Sequence, residues 1–93
     1  MAERGIKRND RTVFRRLEAG AGGVLLHLDT GEYRRLNETG ALIWGLLEEA
    51  PTHAQLMAGL RRVVEEPPTH LQREVDTFLD SLEARGLIER LDR

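Results

Sequence analysis

A chain of 93 residues suffices for one domain with one modest core, and is too short to add a deep catalytic cleft to it. The absence of cysteine excludes a disulfide framework, thiolate metal sites and a cysteine nucleophile, and no apolar run approaches the roughly 20 residues that span a bilayer. The net charge of −2 is unevenly divided: residues 1–36 carry eight Lys/Arg against five Asp/Glu, and residues 37–93 carry six against eleven.

Residues 1–10 are charged, lack an apolar signal segment, and are expected to form a loose arm before a single domain over 11–93. A cytoplasmic location follows as the default. Thr12 to Leu17, with β-branched and aromatic residues, predicts a first strand. Gly20-Ala21-Gly22-Gly23 predicts a turn. A phosphate-binding loop is the alternative, but no Lys-Ser/Thr pair and no helix follow. Val24 to Asp29 alternates Val24, Leu26 and Leu28 against Leu25 and His27, as a second strand does. Asp29-Thr30-Gly31-Glu32 predicts a tight turn, and Glu32 to Leu36 a third strand paired back on the second.

Asn37 suits a helix N-cap, and the helix it opens should run to about Glu49. Ala41, Leu42, Ile43, Trp44, Leu46 and Leu47 make that helix apolar nearly all round, which predicts the most buried element, with Trp44 as a core anchor. Thr52 and Gln55 have capping-box spacing and predict a second helix to about Glu65. Pro67-Pro68 breaks the chain, and Thr69 with Gln72 repeats the spacing ahead of a third helix. In that helix Leu71, Val75, Phe78, Leu79 and Leu82 follow the i, i+3/i+4 rule, and Gly86 marks its stop. Leu87, Ile88 and Leu91 pack or form a short closing segment. The fold class is therefore α+β: an N-terminal antiparallel three-stranded sheet, then three helices. Three such helices suggest a helix-turn-helix, and the hairpin supplies a wing.

No chemistry-bearing constellation emerges. His27, His53 and His70 are scattered without metal-ligand spacing, and no nucleophile elbow or Ser-His-Asp order is present. An enzyme is not expected, nor is a metal or cofactor. A winged helix-turn-helix raises a DNA-binding regulator as a competing function. Its third helix, however, sets Arg73 and Arg85 against Glu74, Asp76, Asp80 and Glu83, and the helical half is net negative. Phosphate attraction dominates DNA affinity, so nucleic acid is not an expected partner. The sheet could offer an open edge beside an amphipathic acidic helix, and such edges either need protection or dock a peptide.

Gly31-Glu32-Tyr33-Arg34-Arg35-Leu36-Asn37-Glu38-Thr39-Gly40-Ala41-Leu42-Ile43-Trp44 resembles the G-x-Y-x-x-L-N-E-T-G-A-x-I-W stretch of PqqD-like proteins. Glu74-Val75-Asp76-Thr77-Phe78-Leu79, Leu82 and Gly86-Leu87-Ile88 are similar to that family's D-V-x-x-F-L-x-x-L…G-L-I end, with Glu74 where the family pattern has Asp. The resemblance spans roughly Val24 to Ile88. It implies a winged helix-turn-helix that serves as a recognition element for RiPPs, the ribosomally made and post-translationally modified peptides. In such elements the leader of a precursor peptide adds a strand to the third strand and lies against the third helix. Carried onto this chain, the peptide-binding residues are Tyr33, Arg34, Arg35 and Leu36 on the strand, and Glu74, Val75, Phe78 and Leu79 on the helix. The implied partners are a leader segment, a separate leader peptidase and a macrocyclase, as in lasso-peptide pathways. The alternative within the family is a peptide chaperone of quinone-cofactor biosynthesis, which delivers its precursor to a radical enzyme. No membrane partner is implied.

Overall fold

The computed structural model describes residues 5–18, 20–65 and 68–91. Its elements are β1 (Ile6–Arg8), β2 (Thr12–Arg16), β3 (Gly23–His27), β4 (Tyr33–Leu36), α1 (Glu38–Leu46), α2 (His53–Arg61), α3 (Pro68–Ala84) and β5 (Ile88–Arg90), with a 3₁₀ turn over Leu47–Glu49 closing α1. The order is a sheet followed by three helices, as the sequence pattern predicts.

The main sheet is antiparallel in the order β2-β3-β4. Its register sets Val13 opposite Leu26 and Phe14 opposite Leu25, then Leu26 opposite Tyr33 and Leu25 opposite Arg34. Period-two alternation buries Leu25 and His27 while Leu26 and Leu28 stay exposed. The β3–β4 turn closes through the His27 amide on the Glu32 carbonyl at 2.8 Å, with Gly31 at φ +75°. A side chain at that φ would be strained, so glycine is the residue of choice there.

Residues 6–8 correct the expectation of a loose arm. β1 pairs antiparallel with β5, Ile6 opposite Arg90 and Arg8 opposite Ile88, forming a second, two-stranded sheet that joins the two ends of the domain. Ile6 is buried in the core, and the Arg8 guanidinium donates to the Trp44 carbonyl (Nε, 3.1 Å) and lies 4.9 Å from the Trp44 ring centroid. One apolar residue and one arginine therefore anchor a segment that looks wholly polar. Residues 1–4 of the expected arm lie outside the described residues, as does Pro67.

Asn37 caps α1, its side-chain oxygen accepting from the Gly40 amide at 2.8 Å. Thr52 and Gln55 form the reciprocal capping box of α2. α3 begins at Pro68, one residue before the expected cap, so Thr69 sits in its first turn. Proline is well tolerated at a first helical position because its missing N–H would be unpaired there anyway. The core gathers Leu25, Leu36, Ile43, Trp44, Leu47, Leu56, Leu60 and the α3 stripe of Leu71, Val75, Leu79 and Leu82. α1 is less enclosed than its composition suggests: Leu42 and Leu46 are 38% and 37% exposed, because a helix at the domain surface has one side left over. His53 reaches from the start of α2 to Asp76 on α3 at 2.7 Å, tying those two helices together. Among the described residues, no helix is long and apolar enough to cross a membrane.

Candidate functional site

The site begins with an unpaired edge. β4 is the last strand of its sheet, and among the described residues its outer side meets no further strand. Antiparallel pairing alternates backbone groups toward one neighbour and then the other. The His27–Glu32 bond fixes the phase: Arg34 and Leu36 turn their amides and carbonyls toward β3, and Tyr33 and Arg35 turn theirs to the open edge.

α3 lines a groove beside this edge. The groove encloses about 530 Å³ and is lined by Arg34 of β4 and by His70, Arg73, Glu74, Thr77, Phe78 and Ser81 of α3. A smaller extension of about 120 Å³ continues past Glu74 and Phe78 to Asn37, Thr39, Gly40 and Ile43 at the start of α1. Phe78 is half-buried and sits at the junction of the two segments. The Arg34 guanidinium spans from strand to helix, 5.3 Å from the Phe78 ring centroid. Burial, and secondarily the positive charge of Arg85, push the Arg34 pKa below its ordinary value. Arg85 itself faces Glu32 at 3.8 Å. The groove floor is thus apolar at Phe78, and its rim mixes arginine, histidine and one glutamate.

The sequence-predicted site residues divide into three groups. Arg34, Glu74 and Phe78 come together in the groove. Tyr33 is 74% exposed, and its side chain and that of Arg35 lie on the outer face of the sheet while their backbone forms the edge. Leu36, Val75 and Leu79 are core residues, 2%, 0% and 0% exposed, so Val75 and Leu79 cannot wall the groove. Both belong to the stripe that holds α3 on the domain. The groove wall lies one helical step away. His70, Glu74, Thr77 and Ser81 recur at i, i+4, i+7 and i+11, flanking the core stripe as a polar one. That spacing was present in the sequence, but apolar periodicity marks only the face against the core.

No cluster of three or more His, Cys, Asp or Glu that could hold a metal ion occurs among the described residues. The geometry suits non-covalent capture of an extended chain: backbone hydrogen bonds along the edge, and side-chain pockets between strand and helix.

The family model for coenzyme PQQ synthesis protein D (PqqD) matches residues 22–88. No curated protein matches the chain by sequence. Two solved structures are similar to it over most of their length. One is TbiB1 in complex with the TbiA(beta) leader peptide, at 30% identity and a TM-score of 0.77, covering 89% of this chain and 94% of that one. The other is lasso peptide synthetase B1 complexed with the leader peptide, at 26% identity and a TM-score of 0.74, covering 90% and 96%.

Proposed function

The chain belongs to the PqqD family, and from that premise we propose that it is a RiPP recognition element of the lasso-peptide type. It binds the leader segment of a precursor peptide and presents the precursor to a leader peptidase and a macrocyclase. It performs no bond-making or bond-breaking step of its own. The observation that carries this reading is the open β4 edge running beside the α3 groove, in a fold shared with two proteins solved with leader peptides.

The leader adds as a strand to β4, bonding to the outward backbone groups of Tyr33 and Arg35. Its inward side chains enter the groove over Phe78 and Thr77, with Arg34, Arg73, Glu74 and His70 selecting polar neighbours. A disordered leader loses conformational freedom on binding, and apolar anchors must offset that loss. In this reading the helices form the helix-turn-helix of a winged domain, and the β2–β3–β4 sheet takes the place of the wing. Nucleic acid is not the ligand, because acidic residues crowd the helix that would enter the DNA groove. Of the two family roles, the lasso type is favoured over quinone-cofactor biosynthesis by the similar structures.

The test is a titration of fluorescently labelled cognate leader peptide with the purified chain, followed by anisotropy. Saturable binding with no mass change in the precursor is the expected outcome. No binding, or cleavage of the precursor by the chain alone, would contradict it.

A further inference from the structure

By composition α3 is an acidic helix, but the fold sorts its charges by face. Asp76 contacts His53 at 2.7 Å, Asp80 contacts Arg90 at 2.8 Å, and Glu83 lies 3.8 Å from the same arginine. None of these three acids lines the groove. The charged and titratable lining there is Arg34, His70, Arg73 and Glu74, so the groove leans cationic within a chain of net charge −2. Arg73 stands on the crest of α3, between the groove and the face that holds Asp76 and Asp80. Glu74 lies where the groove meets its smaller extension. Arg34 is therefore the cation dedicated to the groove. It is half-buried, with the Phe78 ring beside it and the positive charge of Arg85 acting against it. Among the described residues its guanidinium has no ion pair and no hydrogen bond. A ring face takes none of the five guanidinium N–H donors, so these are left for a ligand or water.

We propose, resting on leader addition at β4, that the groove selects a precursor whose leader carries an aspartate or glutamate opposite Arg34. Both pairs of the main sheet are antiparallel, and a leader added in the same sense puts one residue directly opposite Arg34. That pair is of the non-hydrogen-bonded kind, because Arg34 turns its own backbone groups to β3. Such pairs bring the Cα atoms to about 4.5 Å, with both side chains on one face. A carboxylate there lies beside the guanidinium, whose planar fork holds a carboxylate by two parallel N–H···O bonds. The next groove-facing residue comes two positions earlier in the leader, opposite Leu36. It meets Phe78 and the extension lined by Gly40 and Ile43. Along the leader the recognised pattern is then an apolar residue, any residue, and an acid. A lysine at the acid position meets Arg34 and Arg85 in partly desolvated surroundings and is rejected. Arg34 stands at a position that the G-x-Y-x-x-L stretch leaves open, so this selection belongs to the chain rather than to the fold.

The test is an anisotropy titration of the labelled cognate leader and of a scan set, in which each leader residue is replaced in turn by Glu, Gln and Lys. The full chain is used as the parent and as Arg34→Gln, Arg34→Glu and Arg15→Glu. The last makes the same change of charge as Arg34→Glu, but on the outer face of the sheet. For the parent, one position is expected at which Glu binds about fivefold tighter than Gln and about tenfold or more tighter than Lys. The cognate residue there is Asp or Glu, and the gap narrows as salt rises. In Arg34→Gln the preference for Glu over Gln disappears, and in Arg34→Glu the order reverses to Lys over Glu. Arg15→Glu keeps the parent order. A parent that binds the Glu, Gln and Lys forms alike at every position would overturn the proposal while leaving leader capture intact. So would a preference for Glu that persists in Arg34→Gln, or one that Arg15→Glu removes as well. If Arg34→Glu fails to fold, Arg34→Gln decides. If the parent does not bind the unmodified leader, the leader reading itself fails, and this selection falls with it.

Discussion

Arg34 and Phe78 face each other across the groove, the guanidinium 5.3 Å from the ring centroid, and this contact links the edge strand to the groove-lining helix. A cation over an aromatic face contributes about 0.5–1 kcal/mol at a partly exposed site. Arg34 thus serves two roles, holding β4 against α3 and offering a positive charge at the groove rim. Arg34→Ala should lower the thermal midpoint by only a few degrees, as such a contribution implies for a domain of this size. Phe78→Ala removes a half-buried ring, so it should cost less than the roughly 3–5 kcal/mol of a fully buried phenylalanine. It should nonetheless weaken leader binding more than tenfold. Parallel melts by circular dichroism and anisotropy titrations check both; an unchanged affinity in Phe78→Ala would remove the ring from the site.

Val75 and Leu79 supply the contrast, since both are wholly enclosed. Leu79→Ala should cost about 2–5 kcal/mol, the range for large-to-small changes in a core. Val75→Asp should leave no cooperative unfolding transition, because a buried carboxylate there has no partner to offset its desolvation. Urea denaturation measures the first and a thermal scan the second. Under conditions where Leu79→Ala is fully folded, its leader affinity should stay within about threefold of the parent.

The junction of β4 with α1 depends on a close approach. Gly22 has φ +79°, and a Cβ there would lie 1.9 Å from the Leu36 carbonyl oxygen. The Gly22 amide also donates to the Glu38 carboxylate at 3.0 Å. Gly22→Ala should therefore destabilise the domain more than Asn37→Ala, which removes an N-cap worth about 1 kcal/mol. Both should shift the melt downward, Asn37→Ala by about 4–8 °C. The reverse order of the two melting points would contradict the packing described.

Much of this fold was legible in local pattern. The Asp29–Glu32 turn, the Asn37 cap and the Thr52–Gln55 box each sit where side-chain chemistry alone requires them. The β1–β5 pairing was not, because Ile6 gains its meaning from Arg90 at the other end of the chain, and three residues carry no periodicity. The groove was half legible. β4 and the face of α3 near Phe78 followed from the family pattern. Which apolar positions were wall and which were core depended on how α3 is rotated against the sheet. That rotation buries Val75 and Leu79 and turns His70, Thr77 and Ser81 outward, and heptad-like spacing does not distinguish the margin of a stripe from its centre.

Amide hydrogen exchange, resolved by residue and followed with and without saturating cognate leader peptide, tests the central claim most directly. The free chain leaves the Tyr33 and Arg35 amides at the open edge, while those of Arg34 and Leu36 face β3. A leader strand added to β4 should raise protection at Tyr33 and Arg35 at least tenfold and change Arg34 and Leu36 little. The far edge of the sheet provides the internal control: the Leu28 amide on the Arg11 carbonyl sets the phase of β2 and turns the Phe14 and Arg16 amides outward, while the Thr12 amide is taken by the Asn9 carbonyl at 3.0 Å. Protection gained at Phe14 and Arg16, or gained nowhere along Tyr33–Leu36 while the leader is bound, would contradict strand addition at β4.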